Sequence, residues 1–263
     1  MNRLDGKVAI VTGAAGGMGE SYARLMALEG AKVVMVDLKE DMLHESAQNI
    51  RNLGGDVITQ AYDVAKMENW EAIVKTTVDI YGFVNVLVNN AGISPITCVE
   101  NFNQELWDKA FGVILYGTVY GMHCCIPEMR KVGGGSIINI ASMKSFSAFP
   151  LFEKPMQGKG VDNPYCAAKG AIVSLTRASA WQYGADNIRV NAIAPGIIRT
   201  PITEALLQDE SHPVAQLWKK SLILPSGFGT ADEVGWMGVF LASDEASHIT
   251  GVTIPVDGGY LTA

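Results

Sequence analysis

Cysteine is scarce in this chain of 263 residues. There are four, Cys98, Cys124, Cys125 and Cys166, at spacings that match neither a disulfide framework nor a zinc site. Adjacent Cys124 and Cys125 fall in a helical pattern and point in different directions. Small buried thiols in a reducing, cytoplasmic compartment are expected. Positive charge is also short: 20 Lys and Arg against 27 Asp and Glu leave a formal net charge of −7. Without a basic stripe, nucleic acid is not an expected partner. Solenoid-period repeats, low-complexity tracts and Pro/Ser-rich linkers are missing too. Residues 1–263 therefore read as a single domain, of a size one α/β unit fills. Met1 to Gly13 lacks the charged, apolar and small-residue regions of a signal peptide and enters a strand pattern at once. One run, 110–127, nears membrane-spanning length. It holds His123 and three glycines, with Asp108, Lys109, Glu128 and Arg130 at its ends. A long helix buried between a sheet and a partner subunit explains it better than a span, and no membrane partner is expected.

Glycine, by contrast, is plentiful, and one group of it is placed for chemistry. Lys7 to Thr12 is an apolar run suited to a strand buried on both faces. Gly13-Ala-Ala-Gly16-Gly17-Met18-Gly19 follows, and helical periodicity takes over from Glu20 to Leu28. Strand, glycine loop and helix together make a phosphate site. Gly13 permits the tight turn, Gly17 lets a pyrophosphate approach the backbone, and Gly19 allows close helix–strand packing. The second strand, Lys32 to Asp37, ends in an acid 24 residues after Gly13. A carboxylate there accepts hydrogen bonds from both adenosine ribose hydroxyls and repels a 2′-phosphate, with Lys39 the only nearby base. That favours NAD over NADP.

The alternation continues. Helix 39–53 leads to strand 56–62, closed by Asp63-Val64; Asp63 can meet an adenine amino group or cap the helix starting near Lys66. Strand 84–88 ends in Asn89-Asn90-Ala91-Gly92, small and amide residues that suit a cofactor wall or a plain turn. After a long helix over about 104–131, strand 136–140 ends at Ala141-Ser142-Met143. Ser142 thus stands at a carboxyl edge, where open α/β sheets bind ligands, able to donate to a substrate oxygen or to turn the chain. Residues 145–161 have no period and read as an apolar excursion beside that edge. Asn163-Pro164 then opens a helix in which Tyr165 and Lys169, four apart, share a face. An ammonium near a phenol lowers its pKa from about 10, which suits proton exchange with an alcohol. Strand 188–194, Pro195-Gly196, an amphipathic stretch 201–224 broken at Pro213 and readable as a mobile lid or a static helical pair, helix 232–242 and strand 253–257 complete a doubly wound parallel sheet.

Taken in order, Thr12-Gly13…Gly17-x-Gly19, Asp37, Asp63-Val64, Asn89-Asn90-Ala91-Gly92, Ser142, Tyr165-x-x-x-Lys169, Pro195-Gly196 and Val256-Asp257-Gly258-Gly259 resemble the short, single-domain branch of the short-chain dehydrogenase/reductase family, over Leu4 to Gly259. The resemblance implies a Rossmann-type, doubly wound, seven-stranded parallel sheet flanked by helices. It also implies hydride transfer between a secondary alcohol and NAD, usually in a homotetramer. Tyr165 is then the general acid/base, Ser142 orients the substrate oxygen, and Lys169 holds the nicotinamide ribose and lowers the tyrosine pKa. Gly13, Gly17 and Met18 would meet the pyrophosphate, and Asp37 the ribose. Asp63 and Val64 would lie by the adenine, and Asn90, Ala91 and Gly92 along the cofactor. Pro195, Gly196, Ile198 and Thr200 would sit at the nicotinamide end.

Two departures stand out. Ile114 replaces the family's helix asparagine, whose main-chain carbonyl helps hold a relay water. Ser142 and Tyr165 are 23 apart, longer than in most members, with the excess in 149–162. With Ile93, Met143 and the 201–224 stretch, that excess suggests an apolar pocket for cyclic, terpenoid, steroid-like or aromatic alcohols. Among other readings, an epimerase lacks room for its substrate domain, and enoyl reductases usually space Tyr and Lys more widely. A catalytically silent NAD sensor or scaffold is the reading from a different class.

Overall fold

The computed structural model describes residues 2–147, 162–201, 203–208 and 213–262. Strands form at the short β-branched runs: β1 (Val8–Thr12), β2 (Lys32–Asp37), β3 (Asp56–Ala61), β4 (Val86–Asn89), β5 (Gly135–Ile140), β6 (Ile188–Pro195) and β7 (Thr253–Val256). Helices alternate with them: α1 (Gly17–Leu28), α2 (Glu40–Asn52), α3 (Met67–Tyr81), α4 (Gln104–Phe111), α5 (Gly117–Lys131), α6 (Asn163–Tyr183), α7 (Glu204–Leu207), α8 (Pro213–Lys220) and α9 (Ala231–Ala242). The seven strands pair in parallel in the order β3-β2-β1-β4-β5-β6-β7. Strand order therefore reverses between β1 and β4, opening a crevice beyond their carboxyl ends.

Side chains of β1 and β2 alternate between two cores, as a pleat requires. Ala9, Val11, Val33 and Met35 face α1, α2 and α9, where Tyr22, Met26, Leu43, Ile50 and Val239 are buried. Ile10, Val34 and Val36 face α3 and α5, against Trp70, Ile73, Met122, Cys125 and Met129. With both faces covered, a central strand has to be apolar throughout, as β1 is. Entry into α9 is fixed by a capping box. The Thr230 hydroxyl accepts from Glu233 N at 3.3 Å while the Glu233 carboxylate accepts from Thr230 N at 2.7 Å.

The long helix expected over 104–131 is two α-helices joined by a π-turn, Gly112–Tyr116, with Ile114 buried inside it. This helix is long and apolar enough to cross a membrane, but Ala110, Ile114, Met122, Cys125, Ile126 and Met129 are buried within the protein. The 201–224 stretch resolves into α7 and α8, and Pro213 begins α8 because a first helical residue needs no amide hydrogen. Leu207 and Ala215 are buried with Met143, Ile197 and Phe228, so the described part of this stretch packs down on the turn after β5. Most of the substrate excursion, residues 148–161, lies outside the described residues.

Candidate active site

The carboxyl ends of β1 and β4 are stitched together at the switch point. Thr12 Oγ1 accepts from Asn90 N and Ala91 N, both at 3.0 Å, and Asn90 Nδ2 donates to the Thr12 carbonyl at 2.9 Å. Gly13 adopts φ +66°, and a Cβ on Gly19 would stand 1.9 Å from the Gly13 carbonyl oxygen. Those two positions admit only glycine, the first for its left-handed backbone and the second for the contact of α1 with β1. Asn90 thus spends its amide on the glycine turn, a structural duty that sequence reasoning did not assign to it.

One strand further along, β5 delivers Ser142, which is buried, and α6 delivers Tyr165 and Lys169. The Ser142 hydroxyl lies beside the Tyr165 phenol and favours its ionised form, and it accepts from Lys144 N at 3.2 Å. Lys169 Nζ lies 5.8 Å from the Tyr165 ring centroid and donates to the Ile140 carbonyl. A Cβ on Gly92 would come within 3.7 Å of that same Nζ. The three expected residues therefore meet, beside the β4 turn, at the carboxyl edge of the sheet.

Their electrostatics differ from expectation. Burial pushes the Tyr165 phenol up to about 12, with Ser142 pulling the other way. Burial pushes the Lys169 ammonium down to about 7. Burial thus works on both groups, raising the phenol and disfavouring the ammonium that would pull it down. The Ile114 carbonyl, expected to remain for a relay water, accepts a hydrogen bond from Thr118 Oγ1 at 2.8 Å. One of its two lone pairs is thereby committed.

A family model described as Enoyl-(Acyl carrier protein) reductase matches residues 13–261. The 2,5-dichloro-2,5-cyclohexadiene-1,4-diol dehydrogenase LinX of Sphingobium indicum is 37% identical over 260 residues, covering 98% of both chains. The chain belongs to the short-chain dehydrogenase/reductase family. It is likewise 36% identical over 262 residues to the 7alpha-hydroxysteroid dehydrogenase of Bacteroides fragilis, covering 98% of this chain and 96% of that one. A solved Agrobacterium tumefaciens structure with bound NADP superposes with a TM-score of 0.85 at 30% identity, covering 99% of this chain and 98% of that one. This short-chain dehydrogenase/reductase is an oxidoreductase, and a nicotinamide dinucleotide is its cofactor.

The residues fit that group. Gly17 has φ +59°, and a Cβ there would fill the space toward Thr200 and Pro201, 3.4 Å away. The loop after β6 thus faces the glycine loop across a gap that a side chain would narrow. Asp37 is half-buried at the end of β2. Its Oδ2 accepts from Ala15 N at 3.1 Å and its Oδ1 from Lys39 N at 3.0 Å, so the carboxylate is fixed to the glycine loop with lone pairs left for hydroxyls. Asp63 Oδ1 accepts from Ala65 N at 2.9 Å, and the helix it was placed to cap has Lys66 as its N-cap. Asp63 therefore turns the chain into α3. Val64 is buried beside Trp70, whose indole N–H donates to the Val64 carbonyl at 3.0 Å. Met18 packs half-buried against the core under α1. Gly196 N donates to the Val256 carbonyl at 2.9 Å, tying the Pro195-Gly196 exit of β6 to β7. Ile198 is buried, and its carbonyl accepts from Thr203 Oγ1 at 2.6 Å. Thr200 stands opposite Gly17.

Sequence reasoning missed Lys144, Ser94 and Asp162, which cluster beside Tyr165. The only sequence signal was an aspartate immediately before Asn163-Pro164, which reads as an ordinary helix cap.

Proposed function

We propose that the chain interconverts a secondary alcohol and a ketone with NAD(H), and that its substrate is a largely apolar cyclic or aromatic alcohol. The observation that carries this reading is the meeting of Ser142, Tyr165 and Lys169 beside the β1/β4 crevice. Tyr165 exchanges the hydroxyl proton as general acid/base. Ser142, beside the phenol, holds the substrate oxygen. Lys169 faces both the phenol ring and Gly92. Accepting or giving hydride is the chemistry that a bound nicotinamide supplies. Gly13, Gly17 and Met18 line its pyrophosphate, Asp37 its ribose, Asp63 and Val64 its adenine. Asn90, Ala91, Gly92, Lys169, Pro195, Gly196, Ile198 and Thr200 form the remaining wall. The preference for NAD rests on Asp37, whose anchored carboxylate opposes a 2′-phosphate.

Apolar side chains flank the site on both approaching segments. Ile93 is half-buried, and Ile96 and Phe146 are exposed. The relatives named for a chlorinated cyclohexadiene diol and for a hydroxysteroid support a ring-bearing alcohol. A homotetramer in the cytoplasm completes the reading. Exposed Tyr116 and Val119 on the long helix and Trp181 on α6, 89% exposed, support self-association. The free thiols support a reducing compartment.

A second reading, a silent NAD-binding sensor, is favoured by Ile114 and by the engagement of its carbonyl with Thr118. One panel separates the two: NADH and NADPH titration, then turnover of cyclohexanol, 1-indanol, 1-tetralol and a hydroxysteroid, with a crotonyl thioester to test enoyl reduction. Turnover of any of the alcohols with NAD supports the first reading. NADH binding with no turnover on the whole panel supports the second.

A further inference from the structure

Asp162 occupies the N-cap position of α6, yet its side chain makes no capping hydrogen bond to that helix. An aspartate at this position ordinarily accepts from an amide in the first turn. Here Oδ2 accepts from Lys144 Nζ and from the Ser94 hydroxyl, each at 2.7 Å, and Oδ1 accepts from the Cys166 thiol at 3.5 Å. The main chain joins in. Asp162 bridges Thr97, Asn163 N donates to the Thr97 carbonyl at 3.1 Å, and Asn163 Oδ1 accepts from Val99 N at 3.1 Å.

Three chain segments far apart in sequence therefore converge on one carboxylate. Each carries a part of the site: Gly92 just before Ser94, Ser142 just before Lys144, and Tyr165 one turn into α6. The Asp162 side chain is 11% exposed and that of Lys144 23%. Burial works against the Asp162 charge, but Lys144, Ser94 and Cys166 together hold the carboxyl below its ordinary range. Lys144 Nζ also lies 5.7 Å from the Tyr165 ring centroid, on a par with Lys169.

We propose that Asp162 is a positioning residue for this reaction, clamping Lys144, Ser94 and the first turn of α6 so that the Ser142 turn stays in register with Tyr165. The inference rests on the alcohol chemistry proposed above for Tyr165 and Ser142. Its physical basis is that a largely buried clamp cannot be opened without leaving an unpaired ion. An ångström of misplacement at the reacting groups costs up to about 100-fold in rate.

The clamp also sets charge around the phenol. Among the described residues, the titratable groups facing Tyr165 are Lys144 from the turn after β5 and Asp162, Cys166 and Lys169 from α6. The π-turn and β6 present apolar Ile114, Ala192 and Ala194 to that cluster. The Asp162 anion raises the phenol pKa, whereas a cation held 5.7 Å from the ring, as Lys144 is, favours the phenolate. Removing one or the other must move the phenol in opposite directions.

The test compares the parent chain with Asp162→Asn, Lys144→Met, Lys144→Arg, the double variant Asp162→Asn with Lys144→Met, and Tyr165→Phe. Each is assayed with NAD and the best alcohol of the panel above, with NADH titration as the measure of folding. Asp162→Asn and Lys144→Met are expected to lower kcat by roughly 10- to 100-fold, with NADH affinity within about twofold of the parent. Lys144→Arg, which still reaches the carboxylate, keeps most of the activity. The acidic limb of the kcat/KM profile for alcohol oxidation moves to lower pH in Asp162→Asn and to higher pH in Lys144→Met. Should a single variant fail to bind NADH because it misfolds, the double variant, which leaves no unpaired ion, decides. It is expected to stay roughly 10-fold or more slower than the parent, while binding NADH like the parent. Parent-like kcat in Asp162→Asn or in the double variant, or pH limbs that move together, would overturn the clamp. Turnover surviving in Tyr165→Phe, or a parent chain silent on every alcohol, would instead overturn the functional reading and the clamp with it.

Discussion

Replacing Lys169 by Met tests the buried ammonium directly. In the folded chain its pKa falls from 10.5 to about 7, through burial. Between those two pH values the unfolded chain holds a proton there that the folded chain has lost. Stability therefore rises with pH across that window. At about 1.4 kcal/mol per pKa unit, the contribution is at most about 5 kcal/mol, a large part of the 5–15 kcal/mol typical of a folded protein. The Lys169→Met variant removes this slope. It also leaves the Ile140 carbonyl without its Nζ donor, a roughly pH-independent cost of about 1–3 kcal/mol. The assay is urea unfolding of the cofactor-free chain at intervals from pH 6 to pH 10.5. The difference between parent and variant is expected to change by several kcal/mol, with the variant relatively more stable at pH 6 and relatively less stable at pH 10. Stability curves that stay parallel would show that Lys169 keeps its proton in the folded state, and the reasoning from burial would fail.

Three further outcomes are expected. Tyr165→Phe removes the proton donor and acceptor, and kcat should fall by about 10²- to 10⁴-fold while the NADH dissociation constant, read by fluorescence titration, changes little. Asp37→Ala frees the glycine-loop amide it now binds; NADH should weaken and discrimination against NADPH should shrink, and unchanged discrimination would mean that another residue makes the choice. Gly19→Ala forces its Cβ onto the Gly13 carbonyl, 1.9 Å away. Its Tm should drop in step with a loss of at least about 1–3 kcal/mol, and cofactor binding should be lost with it; a parent-like Tm would contradict the packing of α1 on β1.

Much of the fold was legible because its signals are local. The apolar runs of β1 and β2, the glycines between β1 and α1, and the helical spacing of Tyr165 and Lys169 all act within a few residues. Backbone geometry turns such spacings into shape directly. Asp37 and Ser142 were legible for a related reason, since the end of a parallel strand is an address in the crevice whatever the rest of the chain does. The same locality explains the overreach at 104–131. An apolar helical pattern does not show where one extra residue will be absorbed as a π-turn.

What the linear order determined, then, is the element sequence, the switch point and the residues brought to it. Only the tertiary structure decided their chemical state. Burial drives Lys169 toward neutrality and Tyr165 upward, and burial is set by neighbours from β5, α4 and β6. Thr118 commits a lone pair of the Ile114 carbonyl one turn back, as Thr77 does with Ile73 in α3. Asp162, an ordinary cap by its position, meets Ser94 from 68 residues away and Lys144 from 18, and a carboxylate's partners are chosen by distance through space rather than along the chain.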